Sequence, residues 1–146
     1  ACYIAGFSED NFVQVFDFGS GTQTFRLRIS DTTLFSPWWF VSISSADNAF
    51  IEIANTTNSS VSATVTIRTS AGAILGTPQI ISIPADGNTA LSVATGFGTT
   101  VTFASGSASI AHNGGPGALI ANITTLSAMT GLSFDAPFTP RQDFGR

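Results

Sequence analysis

The sequence predicts an all-β protein, a two-layer antiparallel β-sandwich with extended N- and C-terminal segments. Three observations predict it. Apolar residues alternate with Ser, Thr and Arg at a period of two along most of the chain, the spacing of a strand with one wet face. Nowhere does an apolar set recur at helical spacing for three turns. Gly, Pro, Asn and Asp interrupt the alternation at short, even intervals, as in sandwiches and barrels. A chain of 146 residues has the length of one sizeable domain. Residues 1–20 are expected to form an N-terminal extension or donor strand, 21–136 the sandwich and 137–146 an extended tail.

Taken in order, the first run places Phe12, Phe16 and Phe18 on one face and Val13 and Val15 on the other. A strand apolar on both faces must be covered on both, inside its own sandwich or inside a neighbouring subunit. In the second case it is a donor strand that completes the neighbour's sheet, a form of β-augmentation. Residues 24–29 and 63–68 alternate cleanly, with Thr64, Thr66 and Arg68 outward. Shorter runs follow at 51–53, 81–83, 91–93, 101–103, 108–110 and 120–125. Between them lie 55–60, 70–72, 84–88 and 112–117, where Gly supplies positive φ and Pro fixes φ and removes a donor. From about Phe50 to Phe134 this gives seven or eight strands, enough for two antiparallel layers. Pro137 and Pro140 keep the tail from being a central strand. Phe138 and Phe144 are read as plugs for apolar pockets of this chain or of another subunit.

Residues 50–93 carry a resemblance. They read Phe50-Ile51-Glu52-Ile53-Ala54-Asn55-Thr56-Thr57, then Ala63-Thr64-Val65-Thr66-Ile67-Arg68, then Ile81-Ser82-Ile83-Pro84-Ala85-Asp86-Gly87 and on to Val93. This resembles the immunoglobulin-like modules of secreted bacterial surface proteins, where a strand ending in Asn precedes a long Thr-rich strand and a Pro-Ala-x-Gly turn. The resemblance implies an extracellular module of Ig-like, Greek-key type and carries over no catalytic residue. The cysteine pair and central tryptophan of antibody-type domains are not matched, which excludes that subgroup.

Charged residues are 10% of the chain, against about 25% in ordinary soluble proteins. Such a surface relies on hydroxyls or is buried in assembly, and both alternatives point to the cell exterior. There is no lysine, and the cations are Arg26, Arg28, Arg68, Arg141 and Arg146 in a chain of net charge −4. Scattered cations release few counterions, so no nucleic-acid partner is expected. Anionic membranes are disfavoured for the same reason, and no apolar run approaches the ~20 residues of a membrane span. The first residue is Ala1 rather than Met, which suggests removal of a secretion signal. Cys2 is then an inert thiol, an intersubunit disulfide partner or a lipid-attachment residue.

Catalytic chemistry finds few candidates. His112 is the one histidine and no Gly-x-Ser-x-Gly elbow accompanies it. Zinc lacks ligands. Asp47 with Asn48, or Asp86 with Asn88, falls short of a calcium loop with several spaced carboxylates. The acids Glu9, Asp10, Asp47, Glu52 and Asp135 show no glycosidase spacing. No enzyme activity, metal or cofactor is expected. Trp38 and Trp39 are candidates for stacking on sugar rings, and in a strand they point to opposite faces, so at most one lines a platform. Asn55 and Asn58 head Asn-x-Ser/Thr triplets in a turn and are candidate glycosylation sites, whereas Asn122 falls inside a predicted strand.

These readings converge on an extracellular structural subunit. It is expected to polymerise with copies of itself into a surface filament or pilus-like fibre, by strand donation or edge packing. Phe12, Val13, Val15, Phe16, Phe18, Phe138 and Phe144 are the expected interface. The alternative is a carbohydrate-binding or adhesive module whose partners are surface glycans.

Overall fold

Period-two alternation yields strands wherever it occurs, and every strand pairing described is antiparallel. The computed structural model describes residues 32–140 in full and, before them, the strand backbones β1 (Tyr3–Phe7), β2 (Phe12–Asp17) and β3 (Thr22–Arg28). The chain divides into two compact units, residues 1–31 with 142–146 and residues 32–141. No described element is a helix.

In the first unit, β1, β2 and β3 form a three-stranded sheet in that order. β2 pairs with β1 from Tyr3↔Asp17 to Phe7↔Val13 and with β3 from Phe12↔Arg28 to Asp17↔Thr22. Residues 22–28, assigned above to the sandwich, therefore pair with β2. Alternation reveals a strand but not its partner. Phe18, Phe144 and Cys2 lie outside the described residues, as do the side chains of Phe12, Val13, Val15 and Phe16.

The second unit contains β4 (Leu34–Ser42), β5 (Asp47–Asn55), β6 (Val61–Thr69), β7 (Gln79–Ile83), β8 (Asn88–Ser92), β9 (Phe103–His112), β10 (Leu119–Ser127), β11 (Ser133–Pro137) and β12 (Thr139–Pro140). Its pairing path runs β11-β10-β5-β4-β9-β6-β7, with β8 on β5 and β12 on β4. The β4–β5 step is one residue pair, Ser42↔Asp47. The path folds there into two layers, β4-β9-β6-β7 and β8-β5-β10-β11. Inward positions of the first layer supply Trp39, Val41, Val65, Ile67 and Ile110, and those of the second supply Ile51, Ile53, Leu119 and Ile123, all in one buried cluster. Each such side chain contributes roughly 1.5–3 kcal/mol of burial.

Residues 93–101 turn instead of forming strands, and they add Val93, Phe97 and Val101 to the core. This loop is held to its neighbour by Thr77 N–H on Phe97 O at 2.7 Å. Gly76 makes that approach feasible: its φ is +68° and a Cβ there would lie 2.2 Å from Phe97 O.

The C-terminal end corrects one expectation. Phe138 is buried, donates its N–H to Ala121 O at 3.0 Å and packs in the core of its own sandwich. It is not available as a plug for another subunit. Thr139 and Pro140 pair with Phe35 and Leu34, so the sandwich extends past residue 136.

Candidate functional site

Proline in a strand removes a ladder donor and is accommodated at bulges. On β4, Ser36 faces Ala108 and Trp39 faces Gly106 of β9. Three steps on one strand thus oppose two on the other, a β-bulge holding Pro37 and Trp38. Beyond it, Trp39 is fully buried and donates Nε1–H to Ser107 O at 3.0 Å. Trp39 is therefore excluded as a sugar platform. Opposite, Gly106 allows β9 to approach β6, because a Cβ there would sit 1.7 Å from Arg68 O.

Trp38 projects outward and is 42% exposed. Its ring lies nearly parallel to that of Phe40, with centroids 6.3 Å apart and planes 5° apart. Phe134 of β11 meets Trp38 edge-on at 6.5 Å, and Phe103 of β9 meets Phe40 edge-on at 5.8 Å. Four aromatic rings thus run in sequence across the edge from one layer to the other. Phe103 is 74% and Phe134 55% exposed.

This row leads to the end of the sandwich where β4 passes to β5 and β10 to β11. Ile43, Leu126, Met129 and Leu132 are exposed there. The two turns are joined by Ala128 N–H on Ala46 O at 3.1 Å. An open groove of about 500 Å³ is lined there by Phe50, Leu126, Leu132 and their neighbours. Asp47 also lies at this end, and hydrogen bonds from Ser45 (2.6 Å) and Ser127 hold its carboxyl below the usual range. Phe40 belongs to the aromatic cluster 35–40 that the sequence itself displays, whereas Phe103, Phe134 and the turn residues were not singled out there. They are dispersed along the chain and only the pairing of β4, β9 and β11 with their neighbours collects them.

Asn55 leaves the candidate sugar acceptors. It is 3% exposed, and its Nδ2, the atom a glycan would modify, donates to Ser59 O (2.8 Å), Ile83 O (3.1 Å) and Pro84 O (2.9 Å). Asn58 is exposed. His112 is partly buried and its Nδ1 has no hydrogen-bond partner. Burial pulls its pKa down, partly offset by the backbone of Thr32 and Gly114. Among the described residues, no three His, Cys, Asp or Glu side chains gather as a metal site, and no helix is long and apolar enough to cross a membrane.

No protein-family model matches the chain, and no curated protein matches it. Among solved structures it is similar to the crystal structure of Thermotoga maritima 1070, with a TM-score of 0.58 and 10% identity over 77% of this chain and 96% of that one. At that identity the similarity is one of fold.

Proposed function

We propose that this chain is an extracellular, Ig-like structural subunit that associates with copies of itself, and that its apolar end is the main contact. The row Phe134–Trp38–Phe40–Phe103, exposed except for the half-buried Phe40 and continued by the exposed Ile43, Leu126, Met129 and Leu132, carries this reading. Large apolar side chains expose ~150–250 Å² each when free. The exposed fractions then leave on the order of 800 Å² at this end, about one partner's share of a standard interface. That exceeds the roughly 300–600 Å² patch of an ordinary monomer.

A second copy suits the patch because charge is scarce on both sides of such a contact. Between Thr32 and Pro140 only Asp47, Glu52, Arg68, Asp86 and Asp135 are charged at neutral pH. Packing of ends and edges accounts for assembly better than strand donation, since β2 already has a partner on each side in its own chain. A filament needs a second contact. β7 offers one: it ends the pairing path, bears no charge and leaves Ile80 79% exposed.

Sedimentation velocity of the chain and of a Trp38→Ser/Phe103→Ser/Phe134→Ser variant tests the reading. The chain should sediment as an oligomer and the variant as a folded monomer. A chain that stays monomeric at the highest soluble concentration refutes it. The near-parallel Trp38 and Phe40 rings favour a second reading, a platform for a surface glycan. A shift in tryptophan fluorescence on adding polysaccharide would select that reading.

A further inference from the structure

We propose a second binding site, for a neutral sugar, on the outer face of the β8-β5-β10 layer, centred on Glu52. It is independent of self-association at the apolar end.

Strand register builds the site. Glu52 of β5 stands opposite Ala90 of β8 and Asn122 of β10, and Ala54 stands opposite Asn88 and Ile120. These outward positions form two rows of three, Ala90–Glu52–Asn122 and Asn88–Ala54–Ile120. Adjacent strands are ~4.8 Å apart and alternate residues ~6.8 Å apart, so the grid measures roughly 10 by 7 Å, the footprint of one pyranose ring. Ala54 and Ala90 are short enough to leave a floor between the longer side chains. The result is an open groove of about 530 Å³ lined by these residues with Thr89 and Ala121.

The polar groups on the rim determine the ligand class. A carboxylate only accepts hydrogen bonds, whereas each carboxamide offers two N–H donors and an acceptor. Adjacent sugar hydroxyls both donate and accept, which matches this mixed set. Asn122 Nδ2 bonds Thr124 Oγ1 at 3.3 Å, which orients the amide. Ile120, 59% exposed, gives an aliphatic surface for the C–H face of a ring. A divalent cation would want several carboxylates and, among the described residues, finds one. Among the described residues, an anion would meet Glu52 with no cation beside it, since Arg68 lies on β6 in the other layer. A wholly apolar ligand would cover the Glu52 carboxylate and give it no hydrogen-bond donor.

The test is an NMR titration of the full ¹⁵N-labelled chain with methyl α-D-mannopyranoside, methyl β-D-glucopyranoside and methyl β-D-galactopyranoside. At least one should give saturable shifts, with a millimolar Kd, at amides of residues 52–54, 88–90 and 120–122. Glu52→Gln should weaken that binding about tenfold or more, because hydrogen bonds to a charged acceptor are roughly twice as strong. Ala90→Leu, at an exposed position, should fill the floor and abolish binding while thermal stability is retained. No saturable shift with any of the three at about 50 mM, far above a millimolar Kd, overturns the proposal. So do shifts confined to the Trp38 region, or binding that survives Glu52→Gln unweakened.

Discussion

Asn55→Ala should cost this fold about 3 kcal/mol, and the figure follows from the bonds around one side chain. Nδ2 spreads two N–H groups over the carbonyls of Ser59, Ile83 and Pro84, while Oδ1 accepts from Thr57 N (3.0 Å) and Thr57 Oγ1 (2.8 Å). The backbone adds Asn55 N–H on Gly87 O at 2.8 Å and Asp86 N–H on Thr57 O at 3.0 Å. Asn55 ends β5 in one layer, and Ile83 ends β7 in the other. The side chain therefore joins the layers at the end opposite the aromatic row. Alanine removes every side-chain bond at about 1 kcal/mol net each, and buried carbonyls left unpaired cost about 1–3 kcal/mol. Water reaching the turn recovers part of this, which gives roughly 3 kcal/mol in total. In urea the midpoint should fall with an unchanged m value, and Tm should drop by roughly 10 °C.

A loss below about 1 kcal/mol would refute the reasoning, because it would mean that these bonds are not made. Asn55→Asp sharpens the test. It keeps the acceptor and turns a carboxylate oxygen toward three carbonyls, so the folded state favours the protonated acid. This variant should be as unstable as alanine at neutral pH and should regain stability on acidification, opposite in sign to the parent chain. Peptide mass mapping of the native protein should find no sugar on Asn55.

Gly106→Ala places a Cβ against Arg68 O, where backbone cannot yield; it should cost about 3 kcal/mol or more or prevent folding, and an unchanged Tm would contradict that close approach. Ala46 has φ of 53°, so Ala46→Gly should raise stability by a few tenths to about 1 kcal/mol, relief of left-handed strain less the entropy of glycine. A fall in the urea midpoint would be the contrary result. Acidification should destabilise the chain in two stages. His112 has a folded pKa below its ordinary 6.5 because of burial, so the unfolded chain takes up the proton first and stability, complete above 6.5, declines as pH falls through that window. Asp47 has its pKa lowered from 3.8 by Ser45 and Ser127; its contribution is present above 3.8 and is lost as pH falls through the folded value. His112→Gln should flatten the first stage only, and a urea midpoint constant from pH 7.5 to 5 would count against it.

The all-β class was legible because alternation is a local property. Ala63, Val65 and Ile67 could be assigned inward from their spacing, and they are buried. Pairing is not local. Thr22–Arg28 alternates like β6, yet it pairs with β2 rather than joining the sandwich. Asn55 shows the same limit for polar residues. Its triplet reads as an exposed turn, and only the arrival of Ile83 and Pro84 from a distant turn makes it a buried hub. Phe138 follows a proline and looks like tail, but inward parity through Ala136 and Phe138 carries it into the core.

The aromatic row depends on a single extra residue. Leu34 and Ser36 face inward, and strict alternation from them would send Trp38 and Phe40 into the core and leave Trp39 and Val41 outside. The bulge at Pro37 and Trp38 reverses that parity. Trp39 and Val41 are buried, and Trp38 and Phe40 turn outward beside Phe103 and Phe134. Opposite faces for the two tryptophans were readable from adjacency alone, but which one faced solvent was not. Proline made a bulge plausible. An inward Trp38 would have left a smaller apolar surface at this end, made mainly of turn residues. The proposed contact thus owes its aromatic content to strand register as much as to composition.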